Sequence, residues 1–116
     1  MIDQKREKAM GKNKKNHTKK NVRPGKDVVA AKAESLNKKL YKIIDQGVTE
    51  LTLDFVNVKS LDPVGLSVIA ATHNTMNNNE GKLLLKNVPD EINTLFDELG
   101  LNKHFEIEQM NQNQNV

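Results

Sequence analysis

The sequence predicts an α/β fold in which helices pack on a small, mostly parallel sheet. Three observations lead there. Short apolar runs alternate with longer amphipathic ones between residues 28 and 107. The amphipathic runs repeat their apolar residues at spacings of three and four, the period of a helix face. Such helical runs between strands make parallel crossovers, which are right-handed.

Val28 and Val29 end a short strand. Residues 31–46 form the first helix, with Ala33, Leu36, Leu40, Ile43 and Ile44 on one face and Lys38, Lys39 and Lys42 elsewhere. Gly47 stands where a helix C-cap is expected. Residues 48–56 alternate, with Leu51, Leu53 and Phe55 on one side and Thr52 and Asp54 on the other, which is strand periodicity. Asp54 therefore reads as an exposed strand-face residue. A second helix covers 64–77, with Asp62 as its N-cap and Pro63 suited to the first helical position. Gly81 marks a turn, and 82–88 is a buried strand centred on Leu83, Leu84 and Leu85. Residues 89–99 form a third helix, with Ile92, Leu95, Phe96 and Leu99 on one face and Gly100 closing it. Residues 105–107 make a short last strand. The core is small, so stability should be modest.

Charge divides the chain in two. Residues 1–26 hold ten Lys or Arg and two acids, whereas the remaining ninety residues hold eight Lys and thirteen acids. A strongly basic leader thus precedes an acidic body, and the whole-chain charge of +3 hides the contrast. Residues 1–23 carry no apolar period and are expected to be disordered, since nothing in them recovers the entropy of ordering. A single domain at 24–108 and a polar tail at 109–116 complete the expected organisation. The basic N-terminus is not followed by an apolar segment, there is no transmembrane-length run, and there are no cysteines. These features point to a cytoplasmic protein without disulfides or thiolate chemistry.

Residue patterns for catalysis are missing. The glycines at 11, 25, 47, 65, 81 and 100 are isolated and make no phosphate loop. His17 falls in the leader, and neither His73 nor His104 has a partner at metal-ligand spacing. Asp97 and Glu98 are adjacent on a helix and diverge by about 100°. Asp90 and Glu91 complement a helix dipole. The Asn-rich stretch 74–79 reads as a helix end and turn. The expectation is a non-enzyme with no cofactor and no metal.

The stretch 51–69, LTLDFVNVKSLDPVGLSVI, resembles the central signature of STAS domains, the family of bacterial anti-sigma factor antagonists. That signature is an apolar strand, a short loop and Asp-Ser-Ser-Gly-Leu opening a helix; here the matching residues are Asp62-Pro63-Val64-Gly65-Leu66. The segments 28–47, 81–88 and 95–101 resemble the family's first helix, penultimate strand and last helix, so the resemblance spans about residues 24–108. It implies a STAS-like sandwich. It further implies a protein partner, an anti-sigma factor or serine-kinase-like regulator, bound through Asp62, Pro63, Val64, Gly65 and Leu66. In the family a partner kinase phosphorylates a serine at this helix start, and the phosphate breaks the complex. The resemblance places that serine at Val64 and the preceding serine at Pro63, so no phosphorylation is expected there. Ser60 and Ser67 lie outside the motif.

The helix start itself is well kept: Asp62 can cap, Pro63 presets φ, Gly65 permits close approach and Leu66 packs inward. The region matching the family's first strand, residues 12–23, is rich in Lys and Asn. That strand is either absent or very polar, leaving a sheet edge open to a partner or to a second copy as a homodimer. Two other readings remain at this point. Ten cations in the leader would bind nucleic acid or an anionic surface in a salt-dependent way. Alternatively, the chain is the STAS subunit of a membrane transport complex, without inserting into the membrane itself.

Overall fold

Leu51 and Leu53 face Leu83 and Leu85 across a parallel strand pair, and all four are buried. This alternation seeds the core of the computed structural model, which describes residues 18–110. Its elements are β1 (Lys19–Val22), β2 (Asp27–Val28), α1 (Ala30–Asp45), β3 (Glu50–Asp54), β4 (Ser60–Leu61), α2 (Pro63–Asn78), β5 (Lys82–Val88), α3 (Asp90–Glu98), one 3-10 turn (Leu101–Lys103) and β6 (Glu106–Gln109). The main sheet has the order β1-β3-β5-β6 with every pairing parallel, and β2 and β4 form a separate two-stranded parallel sheet.

The strand order never reverses. Right-handed crossovers that always step in one direction lay their helices on one face of the sheet. In agreement, Leu36, Leu40 and Ile44 of α1, Ile69 and Met76 of α2, and Ile92 and Phe96 of α3 all enter the same buried cluster as Leu53 and Leu85. The other face is left to Thr52, Leu84 and Lys86, which are half-buried. Ion pairs Lys19–Glu50 (3.6 Å) and Lys82–Glu106 (3.7 Å) tie neighbouring strands; such exposed pairs contribute less than about 1 kcal/mol each. A shallow depression of about 360 Å³ on this face is lined by both signs of charge, Lys19 and Lys86 beside Glu50 and Glu108.

The three helices run over almost the predicted residues, with ends shifted by one position. Two parts of the sheet differ from the sequence reading. The polar first strand is present: Lys19, Lys20 and Asn21 are exposed, and Val22 alone is buried, opposite Leu53. An edge strand is held by backbone hydrogen bonds to its neighbour and needs little apolar content, so its side chains announce nothing. Residues 19–22, drawn into the leader by composition, therefore belong to the sheet. The rest of the expected disordered leader, 1–17, lies outside the described residues, as does 111–116 of the expected polar tail; Gln109 ends β6. The second difference is that the strand read at Val28–Val29 is Asp27–Val28, which pairs with β4 rather than joining the main sheet. This small pair sits just before the starts of α1 and α2 and fixes them against each other.

Candidate functional site

The start of α2 is assembled around one carboxylate. Asp62 has the extended backbone of an N-cap (φ −117°, ψ 174°), and its Oδ1 accepts the Gly65 N–H at 2.8 Å. Its Oδ2 accepts the Ala30 N–H at 2.9 Å. Ala30 opens α1, whose own N-cap, Val29, contributes no side-chain bond. One aspartate thus satisfies an orphan donor at each of two helix starts and locks them together across 32 residues of chain. The hydrogen bonds from Gly65 and Ala30, with a smaller one from Val64, hold the Asp62 carboxyl below its usual range despite partial desolvation.

Gly65 is buried where α2 crosses β2. A Cβ at this position would lie 1.9 Å from the Val28 carbonyl oxygen. The Asp62 N–H also donates to that oxygen, at 3.2 Å. Leu66 is half-buried against the core. Pro63 and Val64 turn outward, and Val64 is 47% exposed. Of the five residues singled out in the sequence, Asp62, Gly65 and Leu66 build the helix start, while Pro63 and Val64 form its outer surface. Val56 (38% exposed) lies in the turn that follows β3. Ser60 Oγ donates to Asp27 Oδ1 at 2.7 Å, and Ser67 Oγ donates to the Pro63 carbonyl at 3.0 Å.

Asp54 corrects the sequence reading. It was expected on an exposed strand face, and it is only 5% exposed. Its Oδ1 accepts the Val56 N–H and the Asn87 Nδ2–H, both at 3.0 Å, and its Oδ2 faces Arg23 Nε at 3.4 Å. Asn87 has a left-handed backbone (φ 56°), a conformation that asparagine tolerates better than most residues. The carboxylate therefore joins the ends of β1, β3 and β5 and positions the loop leading to α2. Burial alone would raise the Asp54 pKa and is the largest single influence. The hydrogen bonds from Asn87, Val56 and Arg23, with the Arg23 charge, together outweigh it, and the pKa is lowered.

A pH dependence follows. A carboxylate with a folded-state pKa below its unfolded value stabilises the fold above the unfolded pKa and loses that contribution as pH falls through the folded one. Asp54 and Asp62 both act in this sense. Thermal melts from pH 7 downward should show stability nearly constant and then falling below about pH 4. Asp54→Asn should start less stable and show a shallower acid fall; an equally steep fall would assign the acid lability to other carboxylates.

Three of the other polar residues considered in the sequence, His73, Asp97 and Asp90, have local partners. His73 stacks edge-on against Phe105 (5.3 Å between centroids) and lies 3.4 Å from Asn77 Nδ2. Asp97 accepts from Asn102 at 2.8 Å and Asp90 from Gln109 at 3.2 Å, so the helix carboxylates are not converged on a common point. Among the described residues, no helix is long and apolar enough to cross a membrane.

The family model of the STAS domain covers residues 12–113. The chain belongs to the STAS domain family. Its fold is also similar to the solved structure of the anti-sigma factor antagonist SpoIIAA in its unphosphorylated form, with a TM-score of 0.66, 15% sequence identity, and coverage of 86% of this chain and 87% of that one. A search of curated protein sequences finds no match. The STAS fold accounts for the four parallel strands, and its helices share one face here as the strand order requires.

Proposed function

We propose that this STAS domain is a non-catalytic, cytoplasmic regulatory adaptor of the anti-sigma factor antagonist type, and that it binds its protein partner through the start of α2. The observation that supports this most is Val64: a large aliphatic side chain, 47% exposed, on the first turn of a helix whose backbone is fixed by Asp62 and Gly65. Burying such exposed apolar area against a partner is favourable. An anti-sigma factor or a serine-kinase-like regulator is the partner class that the family supplies.

In this reading Val64 occupies the place of the family's phosphorylated serine. With no hydroxyl at Pro63 or Val64, binding is not switched off by phosphate at this point. Ser60 and Ser67 stand outside the Asp62–Leu66 motif, and their hydroxyls donate to Asp27 Oδ1 and to the Pro63 carbonyl. Incubation with a partner kinase and ATP should leave residues 62–66 unmodified, whereas modification of Ser60 or Ser67 that dissociates a complex would overturn the absence of a switch.

The direct test compares wild type with Val64→Glu in affinity capture from the native cell lysate. The glutamate puts negative charge where a phosphate would sit, at an exposed position that leaves the core untouched. A partner retained by wild type should be lost, with affinity reduced at least roughly tenfold, the scale of a lost interface anchor. Equal capture by both proteins would remove the α2 start from the interface.

A further inference from the structure

The charged residues on the sheet face without helices alternate in sign from one strand to the next. In one row Lys19 stands opposite Glu50, and Glu50 opposite Lys82. Lys82 pairs in turn with Glu106 at 3.7 Å. In a second row Arg23 faces Asp54 at 3.4 Å. Asp54 is the register partner of Lys86, and Lys86 that of Glu108. Both rows read plus, minus, plus, minus along the strand order β1-β3-β5-β6. Register partners lie side by side on one face of a sheet, so an inner charge such as Glu50 or Lys86 has an opposite charge on each side.

The charges at the two ends have one such neighbour each. Among the described residues, β1 and β6 are the end strands of this sheet. Lys19 has Glu50 on its inner side, and Glu106 has Lys82. Lys19, Lys20 and Asn21 on β1 are exposed, as are Glu106, Glu108 and Gln109 on β6, so no helix covers either edge. An end strand also turns a row of backbone N–H and C=O groups outward, where a further strand can pair with them. The sheet therefore has one basic edge and one acidic edge, with all its strands running in the same direction.

We infer that the occupant of these edges is a second copy of this chain: β1 of one copy lies parallel to β6 of the next and sets Lys19 beside Glu106 and Glu108. The alternation of charge then continues across the junction. Charged edges ordinarily keep sheets apart, and here they do so for like edges only. Pairing β1 with β1 would bring Lys19 and Lys20 of both copies together, and pairing β6 with β6 would do the same for the glutamates. A head-to-tail contact leaves one edge unused at each end of the pair, so growth does not stop at two copies. Neighbouring strands twist by roughly 20–25°, so four strands per copy rotate the next copy by roughly 80–100°. The contact uses no residue of the α2 start, and it stands apart from the partner reading above.

The test is sedimentation of the full chain over a concentration series reaching about 1 mM, at low and high salt. The average mass should rise with concentration without levelling at two copies, and should rise less at high salt. Lys19→Glu and Glu106→Lys change exposed edge positions. Each alone should weaken association roughly fivefold, the scale of one exposed ion pair. An equimolar mixture of the two variants should associate as wild type does, because the reversed edge of one meets the reversed edge of the other. Such rescue has no counterpart in a folding defect. A monomer throughout the series would overturn the proposal. Association that stops at two copies would overturn the open head-to-tail contact. Association unchanged by both reversals would overturn it too, assigning the contact to another part of the chain such as residues 1–17. Weakening in both variants without rescue on mixing would overturn the pairing of β1 with β6.

Discussion

Gly65→Ala should destabilise the protein by about 3 kcal/mol or more, although alanine is ordinarily the better residue in a helix by about 1 kcal/mol. The reversal of sign comes from backbone geometry. The new Cβ would stand 1.9 Å from the Val28 carbonyl oxygen and 2.5 Å from its carbon. Neither atom belongs to a flexible side chain, so relief requires α2 to lift away from β2. Lifting it stretches the Asp62 N–H to Val28 bond (3.2 Å) and pulls the Asp62 carboxylate from Ala30 (2.9 Å), which uncaps α1 as well. For a domain of this size the loss corresponds to a Tm lower by roughly 15 °C. A melt within a few degrees of wild type would show that the helix start is not fixed by this contact. In a variant that still folds, partner binding should fall with stability, since Val64 rides on the displaced turn.

Phe96→Ala should cost about 3–5 kcal/mol. Phe96 is fully buried on α3 and stands edge-on to two other rings, Phe55 at 6.4 Å and Phe105 at 5.7 Å. Phe105 in turn meets His73. The ring is thus the middle member of an aromatic chain joining the end of β3, α3, the start of β6 and α2. Its removal leaves a cavity bordered by rings that have few alternative rotamers. Against a total stability of about 5–15 kcal/mol, the loss takes a large part of the fold's margin. Urea unfolding gives the comparison, with Leu99→Ala as reference: Leu99, expected from its spacing on the apolar face of the helix, is instead the C-cap that follows α3 and is exposed, and its truncation should change stability by no more than about 0.5 kcal/mol. Similar losses for both would mean that α3 is loosely attached to the sheet.

The local features of the sequence carried much of this structure. The apolar spacing of 31–46, 64–77 and 89–99 appears as α1, α2 and α3, because a helix buries a stripe that its own sequence encodes. The alternation of Leu51, Leu53 and Phe55 and the run at 83–85 appear as the two central strands for the same reason. Asp62 and Pro63 mark a helix start through interactions made within four residues, so they too were legible.

The parts that sequence reading missed depend on residues far apart in the chain. β1 is polar along three of its four positions and exists because β3 offers it a parallel ladder. β4 is two residues long and is a strand only by virtue of β2. Asp54 follows strand alternation to the outer face, yet it is buried there because Arg23 and Asn87, 31 and 33 residues away, close over it. The second role of Asp62, at the start of α1, and the need for glycine at 65 likewise arise from chain crossings at Val28. Periodicity and capping are local properties, and the sequence by itself determined them. Which polar groups are buried, and which distant donors hold Asp54 and Asp62, were decided only when the tertiary structure brought those segments together.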